Sequence, residues 1–221
     1  LIEADRPGGT CLNRGCIPTK TLWKNAEIME NIHRKAEFGL LMDECKIDPI
    51  RLNERKCEVV EKIVGGVEFL IGSYPNIEYL KGFGSFVDPH TIHVKLNDGS
   101  EKDVTADYII IATGSKPSIP PIAGADLPNV ITSDEFLDIK EVPSRLAVIG
   151  GGVIGSELGQ AFATFGSKVT IVEMADRLIA AMDKDASVAL EKQFRKQGIN
   201  VLTSTKLLEI VDKGQEVVVK V

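Results

Sequence analysis

The spacing of apolar positions changes several times along the chain, and each change marks an element. From about residue 19 to 36 the spacing is helical, with Leu22, Ala26, Met29 and then Ile32 or His33 on one face. Asp48-Pro49 has the form of a helix start. The segment after it offers Ile50, Val59, Val60, Ile63 and Val67 as candidate buried positions. The period then shortens. Residues 77–80, 82–87 and 91–96 read as short strands, and Asn97-Asp98-Gly99 is a turn between strands. Tyr108-Ile109-Ile110-Ile111 is a continuous apolar run of the kind a buried parallel strand shows. Pro117, Pro120 and Pro121 follow it and mark a domain boundary. Beyond them a short helix is expected near 133–137. Strand 145–149, a tight loop at 150–155, helix 156–165, strand 168–173, helix 184–197 and strand 200–202 then alternate, with Gly198 closing the second helix. Residues 206–211 and 216–221 form a hairpin through Lys213-Gly214. Leu1-Ile2-Glu3 reads as the end of a buried strand rather than as a natural start. The alternation of strands and helices places the chain in the α/β class.

Composition narrows the function classes. The chain has 221 residues, 43% of them apolar and 5% aromatic, which is enough for real cores in one large or two modest domains. A net charge of −6 does not suggest a nucleic-acid-binding surface. No apolar run is long enough to cross a bilayer, and the first residues do not form a signal peptide. Four cysteines in a chain of this length argue against a secreted disulfide scaffold. Cys45 and Cys57 show no zinc-type spacing and are expected as free thiols, with no metal site.

The cysteines that matter lie in Gly8-Gly9-Thr10-Cys11-Leu12-Asn13-Arg14-Gly15-Cys16-Ile17-Pro18-Thr19-Lys20. On a regular helix, positions i and i+5 diverge by about 140°. A disulfide needs Cα atoms roughly 4.4–6.8 Å apart. A bond between Cys11 and Cys16 therefore requires a distorted backbone, for which Gly15 supplies freedom. Gly8 and Gly9 allow a ligand to approach the backbone closely. Pro18 suits the first turn of a helix. The spacing alone leaves two readings open, a reversible pair or two separate thiols.

Gly150-Gly151-Gly152-Val153-Ile154-Gly155 satisfies G-x-G-x-x-G between an expected strand and an expected helix, the context that pattern requires. Gly150 permits the turn, Gly152 lets the backbone approach a pyrophosphate, and Gly155 allows close helix–strand packing. Val153 and Ile154 open the helix, whose N-terminus offers N–H groups to phosphate. Glu173 ends the next strand at about the twenty-residue offset where a carboxylate accepts ribose hydroxyls and repels a 2′-phosphate. Arg177 does not replace it, so NAD is expected rather than NADP. The bland alternative for the glycines is a simple tight turn. For Glu157 it is a surface carboxylate favoured by the helix dipole.

The cysteine string resembles the redox-active disulfide motif of the flavin-dependent pyridine nucleotide–disulfide oxidoreductases, and is most similar to their dihydrolipoamide-oxidising branch. The resemblance implies two Rossmann-like three-layer domains, each incomplete: residues 1–117 as a partial FAD-binding domain with the redox disulfide, and 118–221 as a C-terminally incomplete NAD-binding domain. It implies that Cys11 is the interchange thiol and that Cys16 forms a charge-transfer complex with the flavin. Gly9 and Thr10 belong to the FAD site. Lys20 would sit beside the flavin ring, paired with Glu157. Arg14 stands where many members carry a small apolar residue. Glu3 would be the ribose carboxylate of the FAD site, Gly84 in Gly82-Phe83-Gly84 a backbone contact to adenine, and Ala112-Thr113-Gly114 a second FAD segment. Leu207 falls at a backbone contact to the dinucleotide.

The family's FAD glycine loop, about thirty residues ahead of Glu3, is not in this sequence. Neither is its C-terminal dimerisation domain, with a His–Glu acid–base pair that His33, His90 and His93 do not match. The chain is therefore expected to be a fragment, inactive by itself. The whole enzyme implied is a homodimer that oxidises dihydrolipoamide and reduces NAD⁺. Its partner would be a lipoyl-bearing protein of a 2-oxo acid dehydrogenase or glycine cleavage complex, in the cytoplasm or the mitochondrial matrix. The rival readings are an NAD(P)H-dependent reductase of glutathione or mercuric ion and a non-catalytic NAD-binding module. The C-x4-C spacing and the second glycine loop disfavour a thioredoxin-like protein.

Overall fold

The computed structural model describes residues 1–221. In chain order it contains β1 (Ile2–Glu3), α1 (Gly9–Arg14), α2 (Cys16–His33), a 3-10 turn (Lys35–Phe38), α3 (Pro49–Gly72), β2 (Leu80–Asp88), β3 (Thr91–Leu96), β4 (Glu101–Thr105) and α4 (Ser133–Phe136). Then follow β5 (Arg145–Ile149), α5 (Val153–Phe165), β6 (Lys168–Val172), α6 (Lys184–Lys196), β7 (Asn200–Leu202), β8 (Glu209–Asp212) and β9 (Val217–Lys220). This is the α/β architecture expected. Two compact units emerge: Leu1–Pro18 with Cys57–Lys116, and Thr19–Lys56 with Pro117–Val221.

In the first unit, β1 pairs in parallel with the start of β2, and β2, β3 and β4 form an antiparallel meander. Gly82 lies where a Cβ would stand 2.4 Å from the Lys95 carbonyl oxygen, so the strands close only on a glycine. Leu12 on α1 packs on Val60 and Val64 of α3, flanked by Ile17 and Val67. Val60, Val64 and Val67 share one face of α3 at helical spacing. Ile63 and Ile50, expected inside, are exposed. Ile63 sits one position off the Val60–Val64 stripe, and a helix turns such a residue to its flank.

The second unit is built on the parallel sheet β5-β6-β7. Val169, Ile171, Leu178, Phe194 and Ile199 form one cluster. Leu158, Ala161, Phe162 and Phe165 of α5 form another with Leu22, Ala26, Phe136 and Leu137. Phe136 and Phe162 stack at 4.5 Å between centroids, and Phe165 meets Phe162 edge-on at 5.5 Å. The hairpin β8–β9 joins through the bridge of Ala123 to Glu209.

Several expectations are corrected. Residues 108–111 are not a buried strand: Tyr108 is 92% and Ile110 91% exposed, and neither lies in a ladder. A strand exists only where a neighbour takes its hydrogen bonds, and no segment pairs with 108–111. The strands expected at 77–80 and 82–87 are a single strand, β2, that starts at Leu80, and the strand beyond the Asn97-Asp98-Gly99 turn is β4. Helix α2 starts three residues earlier than expected, at Cys16, because Pro18 needs no N–H acceptor in a first turn. Helix α5 starts at Val153, with Gly152 as its N-cap, although Gly155 is a poor helix former. The hairpin strand expected from 206 begins at Glu209.

Helix α4 is held at both ends. Thr132 and Glu135 form a capping box, and the Thr132 hydroxyl and N–H hold the Glu135 carboxyl below its ordinary pKa. At the other end Lys56, only 4% exposed, donates to the Leu137 carbonyl at 2.9 Å and to Asp138 Oδ1 at 2.5 Å. Asn53 Nδ2 adds bonds to the carbonyls of Leu137 and Ile139. Lys56→Met keeps the apolar stem and removes the donor. It should destabilise the second unit by about 1–3 kcal/mol, read as a lower urea midpoint. An unchanged midpoint would mean that water satisfies the Leu137 carbonyl.

Candidate functional site

The loop between β5 and α5 owes its shape to four glycines. Gly150 turns the chain at φ +106, and its N–H bonds to the Val172 carbonyl at 2.8 Å. A Cβ on Gly155 would lie 2.1 Å from the Gly150 carbonyl oxygen and 2.9 Å from Val148 Cγ1, so the helix can sit on the strand only without one. A Cβ on Gly152 would meet nothing within 4 Å. That open side is where a pyrophosphate fits against the N-terminus of α5. Sequence reasoning missed Gly151, the variable position of the motif. A Cβ there would lie 2.4 Å from Leu178 Cδ2 and 3.1 Å from Glu173 Cβ.

Glu173 follows β6 and faces this loop. Its Oε2 accepts the Gly151 N–H at 2.6 Å and its Oε1 the Ala175 N–H at 2.6 Å. A carboxylate has about four acceptor positions, so two remain for ribose hydroxyls. Arg177 is turned away into its own segment, with Nη1 3.0 Å from Asp176 Oδ1 and Nη2 3.0 Å from the Ala180 carbonyl. Ile179 adopts φ +42, uncommon for a β-branched residue, and its N–H binds the Gly151 carbonyl at 2.8 Å. The segment after Glu173 therefore braces the glycine loop. Val153 and Ile154 are exposed at the start of α5, and Leu207 is buried. Lys20 on α2 and Glu157 on α5 come together, with Nζ 2.5 Å from Oε1. These residues fit NAD: an open glycine, a helix N-terminus and an oriented carboxylate.

The cysteine segment lies in the first unit. Gly8 caps α1 at φ +104, and a Cβ on it would lie 2.2 Å from Leu12 Cδ2. Cys11 is on α1, Cys16 opens α2, and both are exposed. Gly15 breaks the helix between them. A Cβ at Gly15 would stand 3.0 Å from the Thr10 carbonyl oxygen and 3.2 Å from Cys11 Cα. The chain leading to Cys16 thus folds back onto the backbone of Thr10 and Cys11. Gly9 and Thr10 are exposed beside them. Arg14, unusual at its place in the motif, pairs with Asp5 at 2.5 Å.

Glu3 ends β1 and accepts the Asp5 N–H on Oε1 at 2.8 Å. Glu173 makes the same bond to the residue two positions on, so the two carboxylates share one local geometry. The Tyr79 hydroxyl is buried with no protein partner, and burial raises its pKa. Gly84 is explained by packing, since a Cβ would meet Ile92 Cγ2 at 3.0 Å. Ala112, Thr113 and Gly114 lie in an exposed irregular segment, with Gly114 at φ +73. The carboxylate of Glu3 fits an adenosine ribose of FAD. His90 and His93 bond to Ala106 and Asp103 around the meander and join neither site. No group of three or more His, Cys, Asp or Glu side chains is arranged to hold a metal ion. No helix is long and apolar enough to cross a membrane.

Comparison with known proteins identifies the family. The family described as pyridine nucleotide-disulphide oxidoreductase matches residues 1–221. The chain is 41% identical over 216 residues to a dihydrolipoamide dehydrogenase of Chaetomium thermophilum, covering 97% of this chain and 43% of that protein. It is 38% identical over 209 residues to the dihydrolipoyl dehydrogenase of Bacillus subtilis, covering 94% and 45%. Among solved structures it is similar to the Cu(II) complex of the HOCl-induced flavoprotein disulfide reductase RclA of Escherichia coli. The TM-score there is 0.83 at 33% identity, covering 100% of this chain and 46% of that one. The chain spans less than half the length of these relatives.

Two glycine substitutions should behave differently. Gly155→Ala must displace the Gly150 carbonyl, so it should lower the thermal midpoint and weaken NADH binding together. Gly152→Ala fills open space, so it should leave the midpoint unchanged while weakening NADH binding at least tenfold, about 1.4 kcal/mol. Fluorescence titration of both variants checks this. Equal NADH affinity in Gly152→Ala and the parent would place the pyrophosphate elsewhere.

Proposed function

Because the chain belongs to the pyridine nucleotide-disulphide oxidoreductase family, we propose that the whole protein oxidises protein-bound dihydrolipoamide and reduces NAD⁺. The observation that carries this reading is the break at Gly15. A plain NAD-binding module has no use for a helix interrupted so that its second half starts against the backbone of Cys11.

The thiol chemistry balances on this chain's own atoms. A substrate thiolate attacks Sγ of Cys11 in the Cys11–Cys16 disulfide and expels Cys16 as a thiolate. The second substrate thiol, once deprotonated, displaces Cys11 from the mixed disulfide, leaving oxidised lipoamide and the Cys11–Cys16 dithiol. Exchange rates then depend on access to Cys11 and on the leaving thiolate, and both cysteines are exposed. When bound, FAD supplies the two-electron link between this dithiol and NAD⁺. Glu3 would hold the ribose of FAD, with Gly9, Thr10, Gly84, Ala112, Thr113 and Gly114 lining it. Lys20, paired with Glu157, would lie at the flavin ring. Glu173 would hold the NAD ribose, with Gly150, Gly152, Val153, Ile154, Gly155 and Leu207 around the dinucleotide. Residues 1–117 would belong to the FAD-binding domain and 118–221 to the NAD-binding domain.

The partner is a lipoyl-bearing protein of a 2-oxo acid dehydrogenase or glycine cleavage complex, and the whole protein is a homodimer. It works in the bacterial cytoplasm or the mitochondrial matrix. A second reading, reduction of another disulfide by the same machinery, is favoured by the likeness to a flavoprotein disulfide reductase.

The test is the visible spectrum of the whole protein before and after anaerobic NADH, with dihydrolipoamide turnover beside it. A flavin spectrum with a long-wavelength charge-transfer band is expected. Cys11→Ser and Cys16→Ser should each abolish turnover. Normal turnover in either variant would sink the disulfide assignment. Reduction of other disulfides without dihydrolipoamide oxidation would favour the second reading.

A further inference from the structure

We propose that Asn13 is the positioning residue of the Cys11–Cys16 pair, a role that rests on the redox-pair reading above. Its side chain ties the short helix carrying Cys11 to the loop that precedes it. Asn13 Nδ2 lies 3.2 Å from the Pro7 carbonyl oxygen and 3.5 Å from that of Arg6, both in that loop, and 3.0 Å from that of Gly9, the first residue of α1 itself. Three acceptors facing one atom settle which end of the amide points there, because only the nitrogen donates. Gly8 and Gly9 both take positive φ, +104 and +64. That backbone bend, costly for other residues, brings the three carbonyls to converge on Asn13.

Helix α1 needs such a tie. It has six residues, too few to persist without tertiary support. Leu12 anchors one face in the cluster with Val60 and Val64. A second tie is the Arg14–Asp5 pair, in which both side chains are more than half exposed, and such pairs hold weakly in water. Asn13 is half-buried, and its Oδ1 is shielded with no protein partner. An asparagine is also a poor choice for helix propensity alone. Its residue type is explained by the three carbonyls. Cys11 precedes Asn13 by two positions, and Gly15 packs on Cys11 Cα. The register of α1 thus decides where the first thiol stands when the second closes on it. Loosening that register lowers the effective concentration of one thiol at the other, so the disulfide becomes easier to reduce.

The test is the equilibrium of the pair in glutathione buffers, in which one oxidised glutathione and the dithiol give the disulfide and two reduced glutathiones. The oxidised fraction is read by alkylation and mass of the peptide that holds both cysteines. Asn13→Ala should lower the equilibrium constant for closure about tenfold, ~30 mV toward easier reduction, with helix content by circular dichroism unchanged. Asn13→Asp at neutral pH sets a carboxylate against three carbonyls and should lower it further. Acidifying that variant should recover part of the loss, since the neutral acid donates one hydrogen bond. A constant equal to the parent's in Asn13→Ala would overturn the proposal. So would an Asn13→Asp variant with no pH dependence beyond the parent's. Should Asn13→Ala fail to fold, Asn13→Ser is judged in its place by the same criterion. A parent protein that forms no Cys11–Cys16 disulfide at any buffer ratio would overturn the redox-pair reading, and this role with it. A disulfide that forms but ignores position 13 would overturn the role alone.

Discussion

Each of the two candidate sites depends on a point where backbone meets backbone. At Gly155 the helix α5 rests on the carbonyl of Gly150, and at Gly15 the chain folds against Thr10 and Cys11. A side chain at either point would separate the two segments by the thickness of a methyl group. The first contact opens the dinucleotide loop toward the N-terminus of α5, where N–H groups are unpaired. The second folds the chain at Gly15, just ahead of Cys16, against the backbone of Thr10 and Cys11. In both cases the missing Cβ lets a helix end lie directly on neighbouring backbone.

The parts around these contacts are oriented before any ligand arrives. Glu173 is held by two N–H donors, one of them from the glycine loop itself. The same bond to the residue two positions on recurs at Glu3, so each of two strand ends in the chain presents an aimed carboxylate. Ile179, in an uncommon backbone conformation, bonds back to Gly151. Strain of that kind persists only where its surroundings enforce it, and here the surroundings are the loop and the buried Leu178 beneath it. Ordering these groups in advance spares a ligand the entropy of doing so.

Much of this was legible in the sequence, and the reason differs from place to place. Strand β5, the glycine motif and Glu173 could be read because each depends on neighbours close in the chain: an alternating strand, a tight loop, a strand end. A bond between Cys11 and Cys16 would likewise require a distorted backbone, and Gly15 named the place where the helix breaks. The run 108–111 misled for the opposite reason. Its composition suits a strand, but a strand is a property of two segments, and in this chain no second segment pairs with it. Ile50 and Ile63 misled because helical periodicity defines a stripe without saying which neighbouring stripe is covered.

What the sequence by itself determined is local: the α/β class, the two glycine loops, the strand-end carboxylates and the two cysteines beside a helix break. These follow from steric limits on single residues and from short-range periodicity. Only the tertiary structure decided which groups meet across the chain. It brought Lys20 to Glu157, 137 positions apart, set Lys56 under the end of α4, and turned the amide of Asn13 onto the loop before it. Such meetings depend on how buried faces stack, since apolar burial is non-directional and leaves register to packing and hydrogen bonds.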